Sequence, residues 1–402
     1  MPAETPATVN ETFSNDVVRK VPFFTQSSTF AELWPTISAG VEAIFENGKF
    51  SHGAQVARFE HLLAEYTGAR HVVGVNSGTD ALVLLLRACG LAPGEEVLVP
   101  AFSFVASASS VVLAGGLPRF TDIDPVTYAM DPASAADAVS AATRFLMPVH
   151  LFSHQADLRA LGDLAGRHDL VVVEDSAEAI GARQDGRHAG LHGAGGVLSF
   201  FPSKTLGAIG DAGAVLTDRP EIAERVAALR HHGRGGRTLD HFPGISNETD
   251  EPGVNSKMDD IQAAVLIAKL GRLESDIVRR AELASAYSER LRDIPGIIRL
   301  PLVTSPSADC RDVFYVYLIE VENRDALAAE LAENGIGTET YYPVPLPFQP
   351  CFADLGHRAG QFPNAEAACA RALALPLYPD LELAGVDHVC DVIRSFYLGR
   401  AR

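Results

Sequence analysis

The chain has 402 residues, 51 acidic against 33 basic, for a formal net charge of −18. That length can bury a large core and suggests two or three domains, while the acidic balance argues against general nucleic-acid binding and against docking on an anionic membrane. Five scattered cysteines (Cys89, Cys310, Cys351, Cys369 and Cys390) form no CxxC pair, which disfavours a zinc ribbon or a disulfide framework and reads as free thiols in a reducing cytoplasm.

Residues 1–20, MPAETPATVNETFSNDVVRK, are polar and lack an apolar h-region, so a disordered tail is expected and not a signal peptide. No apolar run reaches the ~18 residues of a membrane span. From about residue 70 short apolar runs alternate with helical periodicity. HVVGVN (71–76) reads as a strand, and SGTDALVLLLRACG as a helix with Leu82, Leu85, Leu86 and Cys89 on one face and Ser77 as N-cap. EVLVP (96–100) is the next strand and FVASASSVVLAGG the next helix. PRFTDID, RFLMPVH and LVVVED follow as strands, with a helix over DLRALGDLAGRH (157–168) before the last. The run Val171-Val172-Val173 has no polar alternation, as expected of a strand buried on both faces. VLSFFPSK and GAVLTD add two strands around a glycine-rich connection. The expectation is an α/β fold with a mostly parallel sheet covered by helices.

After Gly253 the texture changes. KMDDIQAAVLIAKLGRLESDIVRRAELASAYSERLRDI is a long helical zone, then FYVYLIEV (314–321) reads as a strand followed by a helix over NRDALAAELAENG. The expected division is a large domain with an N-terminal arm over 21–270 and a smaller α+β domain over 271–402.

Three separated features carry chemistry. Asn76-Ser77-Gly78-Thr79 stands at a strand-to-helix junction, where free backbone amides and two hydroxyls make a phosphate seat; alone it is equally a simple N-cap. Glu174-Asp175 ends a buried strand, where open α/β sheets place ligands; alone it is equally a helix cap. Lys204 sits in the apolar, glycine-rich SFFPSKTLGAIGDAGAV, where desolvation is expected to lower its pKa for work as nucleophile or base. No GxxxxGK precedes it, so a Walker A loop is ruled out. Phosphate seat, strand-end acid and lysine, in that order, are what pyridoxal 5′-phosphate (PLP) needs for its phosphate, its ring nitrogen and its Schiff base.

With these features the chain resembles the DegT-type PLP-dependent nucleotide-sugar aminotransferases, of the aspartate-aminotransferase fold (fold type I). The likeness runs from about residue 21 to the C-terminus through GKFSHGAQVARFE, NSGTDAL, VPAFSFVASA, EDSAEAIGA, SFFPSKTLGAIGDAGAV, GVNSKMDDIQAA and YYPVPLPFQP. The resemblance implies Lys204 as the Schiff-base lysine and Asp175 as the acid facing the pyridine nitrogen. It implies Ser199, with Ser77, Gly78 and Thr79, at the phosphate, and Phe104 against the ring. It places Asn255 at the phosphate of a neighbouring subunit, hence a homodimer with shared active sites; read alone, Asn255 is equally a cap before KMDDIQAA. The implied activity is ping-pong transfer of an amino group, with glutamate the expected donor, to C3 or C4 of a nucleotide-diphosphate-linked keto-deoxysugar. Cyclitol and aminoaryl-precursor aminotransferases of the same family, and a non-catalytic PLP-binding regulator, are the alternatives.

Three positions depart from the common pattern. Glu178 stands where many members carry glutamine; ionised, it only accepts hydrogen bonds and would repel the cofactor's phenolate, so it either stays protonated or meets a donor. Tyr315 and Pro347 occupy positions commonly held by histidine, and with Tyr342 they fall in segments expected to border the substrate. The basic stretch LRHHGRGGRTLDH brings Arg230, Arg234 and Arg237 together. It is either a solvated loop or a clamp for the substrate diphosphate.

Overall fold

A computed structural model describes residues 20–234, 249–303 and 309–399. Two helices that the sequence reading had not assigned come first, α1 (Ser27–Asn47) and α2 (Ala54–Thr67). The α2 N-terminus has no local side-chain cap; the carboxylate of Asp260 accepts the Gly53 amide at 2.7 Å and the Gln55 amide at 2.9 Å. A Cβ at Gly53 would lie 2.5 Å from that carboxylate, so only glycine lets the two segments meet.

The alternating stretch then follows as expected, except that α5 had not been assigned. It runs β1 (His71–Val75), α3 (Gly78–Ala88), β2 (Glu96–Pro100), α4 (Val105–Leu113), β3 (Leu117–Thr121), α5 (Pro132–Ala138), β4 (Thr143–Leu146), α6 (Leu158–His168) and β5 (Val171–Asp175). A two-residue hairpin, β6 (Arg183–Gln184) with β7 (Arg187–His188), precedes β8 (Gly195–Ser199), β9 (Gly213–Thr217) and α7 (Pro220–Leu229). Ser77 caps α3 by accepting the Asp80 amide at 3.1 Å, as the sequence indicated.

The main sheet has the order β1-β9-β8-β5-β4-β2-β3. Four of its pairings are parallel and only those of β9 with its two neighbours are antiparallel. It is therefore the mostly parallel sheet expected, and the carboxyl ends of β1, β2, β5 and β8 share one edge. Leu84, Leu85 and Leu86 of α3 and Val173 of β5 are fully buried or nearly so in the core on this sheet.

The long helical zone breaks at Gly271 into α8 (Asp260–Leu270) and α9 (Leu273–Leu291). The α8 N-cap residue is Asp259, so Asn255 is not the cap. Then come β10 (Ile297–Arg299), β11 (Tyr317–Val321), α10 (Arg324–Glu333), α11 (Pro363–Arg371), β12 (Ala372–Leu375) and α12 (Leu383–Leu398). β10, β11 and β12 form an antiparallel sheet with its own core around Tyr287, Tyr317 and Val389. The strand expected over 314–321 begins only at Tyr317, because the Tyr315 amide turns to the Phe152 carbonyl at 2.8 Å. The cysteines are free thiols, and among the described residues no helix is long and apolar enough to cross a membrane.

Candidate active site

A cavity of about 470 Å³ opens at the carboxyl edge of the main sheet. Ser77, Gly78, Thr79, Asp175, Ser199 and Lys204 all line it, although up to 127 positions separate them in sequence. Phe104, Glu178 and Tyr342 join them.

The seat is built by close packing. The Gly78 and Thr79 amides precede the first intrahelical bond of α3, from the Ala81 amide to the Ser77 carbonyl at 3.0 Å, so they are donors without helical partners. A Cβ on Gly78 would lie 2.8 Å from the Ser199 Cβ, and one on Gly213 would lie 2.5 Å from the Ser77 carbonyl. These glycines allow the β1–α3 junction to lie directly against β8 and β9, with the Ser199 hydroxyl beside the helix start.

Period-two alternation splits the two acids at the end of β5. Asp175 faces the cavity and Glu174 the opposite side, where it accepts the amides of Gly190 (2.8 Å), His192 (2.6 Å) and Gly193 (2.9 Å) and pairs with His150 at 3.1 Å. Burial opposes the charge of Glu174, but the His150 bond and these amides hold its pKa below the usual carboxylate value. Glu174 thus fixes the approach to β8. Burial pushes Asp175 up instead; Ser107, the Ala177 amide and Lys204 oppose that rise without cancelling it.

Lys204 follows β8 on a tight loop, its amide bonded to the Phe201 carbonyl at 2.8 Å. Its Nζ lies 2.9 Å from Glu178 Oε1 and 4.3 Å from the centroid of the Tyr315 ring. Burial lowers its pKa, but Glu178, Tyr315 and Asp175 outweigh that, and the net shift is upward. The expected lowering is therefore corrected: burial does act downward, but the Glu178 carboxylate beside the amine outweighs it. Glu178 Oε2 accepts the Phe152 amide at 2.8 Å. Both Glu178 oxygens thus accept from fixed donors, Lys204 and the Phe152 amide.

Phe104 is 56% exposed at the cavity wall. Tyr342 stacks on Phe152 at 5.9 Å, and both adopt left-handed backbone, with φ of 54° and 61°. Such conformations cost a non-glycine residue about 1–3 kcal/mol each and cluster at functional sites. Ser103, Ser107, Tyr315 and Tyr341 also line the cavity, and only Tyr315 among them had been marked from sequence. The i, i+4 spacing of Ser103 and Ser107 was the available signal for the two serines.

Other candidates lie apart. Asn255 is exposed outside the cavity, its Oδ1 bonded to Lys257 Nζ. Arg234 is half-buried near it, and Arg237 falls outside the described residues. Arg230 is turned inward to Glu60 at 2.7 Å and to the Gly74 carbonyl at 2.5 Å, which removes it from any substrate clamp. Pro347 is buried and does not line the cavity.

The residues fit PLP: helix-start amides and a hydroxyl for a phosphate, a buried carboxylate for a ring nitrogen, and an amine for a covalent link. The comparisons agree. The profile of the DegT/DnrJ/EryC1/StrS aminotransferase family matches residues 34–394. A protein of Geobacillus stearothermophilus named pleiotropic regulatory protein is 39% identical over 378 residues, covering 94% of this chain and 98% of the relative. The dTDP-3-amino-3,4,6-trideoxy-alpha-D-glucose transaminase of Streptomyces venezuelae is 39% identical over 377 residues, 94% of this chain and 96% of that one. The crystal structure of S. venezuelae DesV in complex with a ketimine intermediate superposes with a TM-score of 0.88 at 38% identity, covering 95% of this chain and all of that one. The chain belongs to the DegT/DnrJ/EryC1/StrS aminotransferase family and is a PLP-dependent aminotransferase.

Proposed function

We propose that the enzyme transfers an amino group to C3 or C4 of a nucleotide-diphosphate-linked keto-deoxysugar, with glutamate as donor, at a site completed by the second copy of a homodimer. The observation that carries this is the meeting of Lys204, Asp175 and the α3 seat in one cavity. The amides of Gly78 and Thr79, with the hydroxyls of Ser77, Thr79 and Ser199, hold the cofactor phosphate. Phe104, exposed on the cavity wall, would pack against the ring, with Glu178 among the lining groups beside Lys204. PLP, when bound, supplies an electron sink for the carbon that gains or loses a proton. Asp175 holds the proton on the ring nitrogen that keeps this sink open. The Lys204 amine would be the base that moves a proton at the substrate carbon.

Charge supports the shared site. Among the described residues lining the cavity Lys204 is the single cation, against Asp175, Glu178 and Asp211. A sugar linked to a diphosphate brings at least two negative charges that these groups do not match. Arg234, half-buried near Asn255, is suited to them, and Arg237, three positions on in the sequence, is proposed to act with it. The Streptomyces relative's name specifies a dTDP-linked amino sugar, which favours this substrate class. The Geobacillus relative's name speaks of regulation; here the presence of both Lys204 and Asp175 in one cavity favours catalysis.

Lys204→Ala tests the reading. The wild-type protein binds PLP in a yellow form that borohydride fixes to the chain; the variant binds the cofactor through the seat but gives no fixed adduct by mass spectrometry. A full adduct in the variant excludes Lys204 as the attachment point.

A further inference from the structure

Asp175 is 4% exposed and ends a strand among apolar neighbours, so its charge needs fixed donors. Its Oδ1 accepts the Ala177 amide at 3.2 Å, and its Oδ2 accepts the Ser107 hydroxyl at 2.7 Å. Ser107 Oγ also lies 2.7 Å from Ser103 Oγ. Since the Ser107 proton is committed to the carboxylate, its lone pair accepts and Ser103 donates. The chain Ser103→Ser107→Asp175 therefore runs one way, each hydroxyl polarising the next. Ser103 is 2% and Ser107 1% exposed, so both hydroxyls are shielded from bulk solvent.

Two elements make this arrangement. Ser103 precedes α4 and Ser107 lies in its first turn, one helical turn apart; the α4 N-cap residue, Phe104, makes no side-chain cap. The first turn of α4 thus meets the carboxyl end of β5 through its serine face, on the side of the helix dipole that favours negative charge.

We propose that Ser107, backed by Ser103, is a positioning residue that holds Asp175 ionised and oriented for the cofactor's ring nitrogen. The proposal rests on the assignment of Asp175 to that nitrogen. Ser107 touches the carboxylate and is not required to touch cofactor or substrate. Burial raises the Asp175 pKa, and the Ser107 bond is the largest of the interactions opposing it. Removing the hydroxyl moves the carboxyl further up. The other charged or titratable groups acting on Asp175 are Lys204, Glu178 and Tyr342, and Ser107→Ala leaves all three in place.

The test uses the PLP-loaded enzyme and the variants Ser107→Ala, Ser107→Thr, Asp175→Asn and Ser107→Ala/Asp175→Asn. Loss of a hydrogen bond to a charged group corresponds to about a 10- to 100-fold fall in kcat for the glutamate half-reaction in Ser107→Ala. KM stays within about two-fold, because ground-state binding is untouched. The acid limb of the rate moves to higher pH, since a carboxyl with a higher pKa takes up its proton earlier as pH falls. Ser107→Thr, which keeps the hydroxyl, restores rate and limb. The decisive readout is non-additivity: with Asp175→Asn already present, Ser107→Ala adds nothing. Cofactor retention and the visible absorption of the loaded variants, read without turnover, follow the same cycle. Independent, multiplying losses, or an unshifted acid limb in Ser107→Ala, overturn the relay while leaving Asp175 in its role. An Asp175→Asn enzyme with wild-type rates overturns both. Should Ser107→Ala fail to fold, Ser103→Ala gives the same cycle with a smaller loss, and full additivity there is equally fatal.

Discussion

His188 carries no mark in the sequence, yet it fixes the segment that presents Glu178. Its Nε2 accepts the Gly181 amide at 2.7 Å and its Nδ1 donates to the Ala189 carbonyl at 2.5 Å, an arrangement only the neutral ring satisfies. Burial lowers its pKa from 6.5 to about 4. Between those values the unfolded chain binds a proton that the folded chain refuses, so stability falls as pH drops through this window. The loss reaches about 3 kcal/mol once both values are passed. Urea unfolding at pH 7.5 and pH 4.5 is expected to show this loss in the wild-type protein and a much smaller one in His188→Gln, which accepts and donates without titrating. Equal acid losses in the two proteins refute the assignment.

At the scale of the element, the loop carrying Lys204 is held from both sides. Its interior is so close that a Cβ on Gly207 would lie 2.2 Å from the Pro202 carbonyl oxygen. From outside, the Pro202 carbonyl accepts the Gln26 side-chain amide, and the Gly207 carbonyl accepts the Lys269 ammonium at 2.6 Å. Lys269 also bonds Gln26, and burial lowers its pKa to about 8. One buried ammonium thus ties the segment before α1 and the end of α8 to the loop carrying Lys204. Gly207→Ala is expected to cost about 1–3 kcal/mol, the usual range for overpacking a site that cannot relax. It should also slow attachment of PLP to Lys204, because backbone and not a flexible side chain must move. Thermal unfolding and the rate of borohydride-trapped attachment measure the two effects; wild-type values for both would show that the loop has slack.

For the whole molecule the testable consequence is sharing between copies. Asn255 lies outside its own cavity, bridged to His231, where a residue serving a neighbour's site is expected. Inactive Lys204→Ala and impaired Asn255→Ala chains, mixed under conditions of proven subunit exchange, are expected to regain activity. One site of the heterodimer then combines intact Lys204 with intact Asn255, and the other carries both lesions, so recovery approaches half of normal and does not exceed it. The impairment of Asn255→Ala follows from losing a hydrogen bond to a charged phosphate, about 1.5–3 kcal/mol. No recovery in mixed dimers rules out the shared site and leaves the Lys204 chemistry intact.

Apart from α5 and the β6–β7 hairpin, the alternating strands and helices from His71 to Thr217, the Ser77 cap and the order of seat, acid and lysine were legible in the chain itself. Periodicity, capping and motif spacing are local properties that each segment carries wherever it packs. The helices α1 and α2 were not assigned, and Asp260 shows part of the reason: the α2 N-terminus is satisfied by a carboxylate 207 positions away. What only tertiary structure decided was which polar groups meet. Glu178 finds Lys204 and raises its pKa instead of leaving it lowered, Arg230 turns inward to Glu60, and Ser107 reaches Asp175. Each is a contact between elements that strand order and helix crossing bring to one edge of the sheet. Their energies depend on burial and distance, which no local pattern encodes.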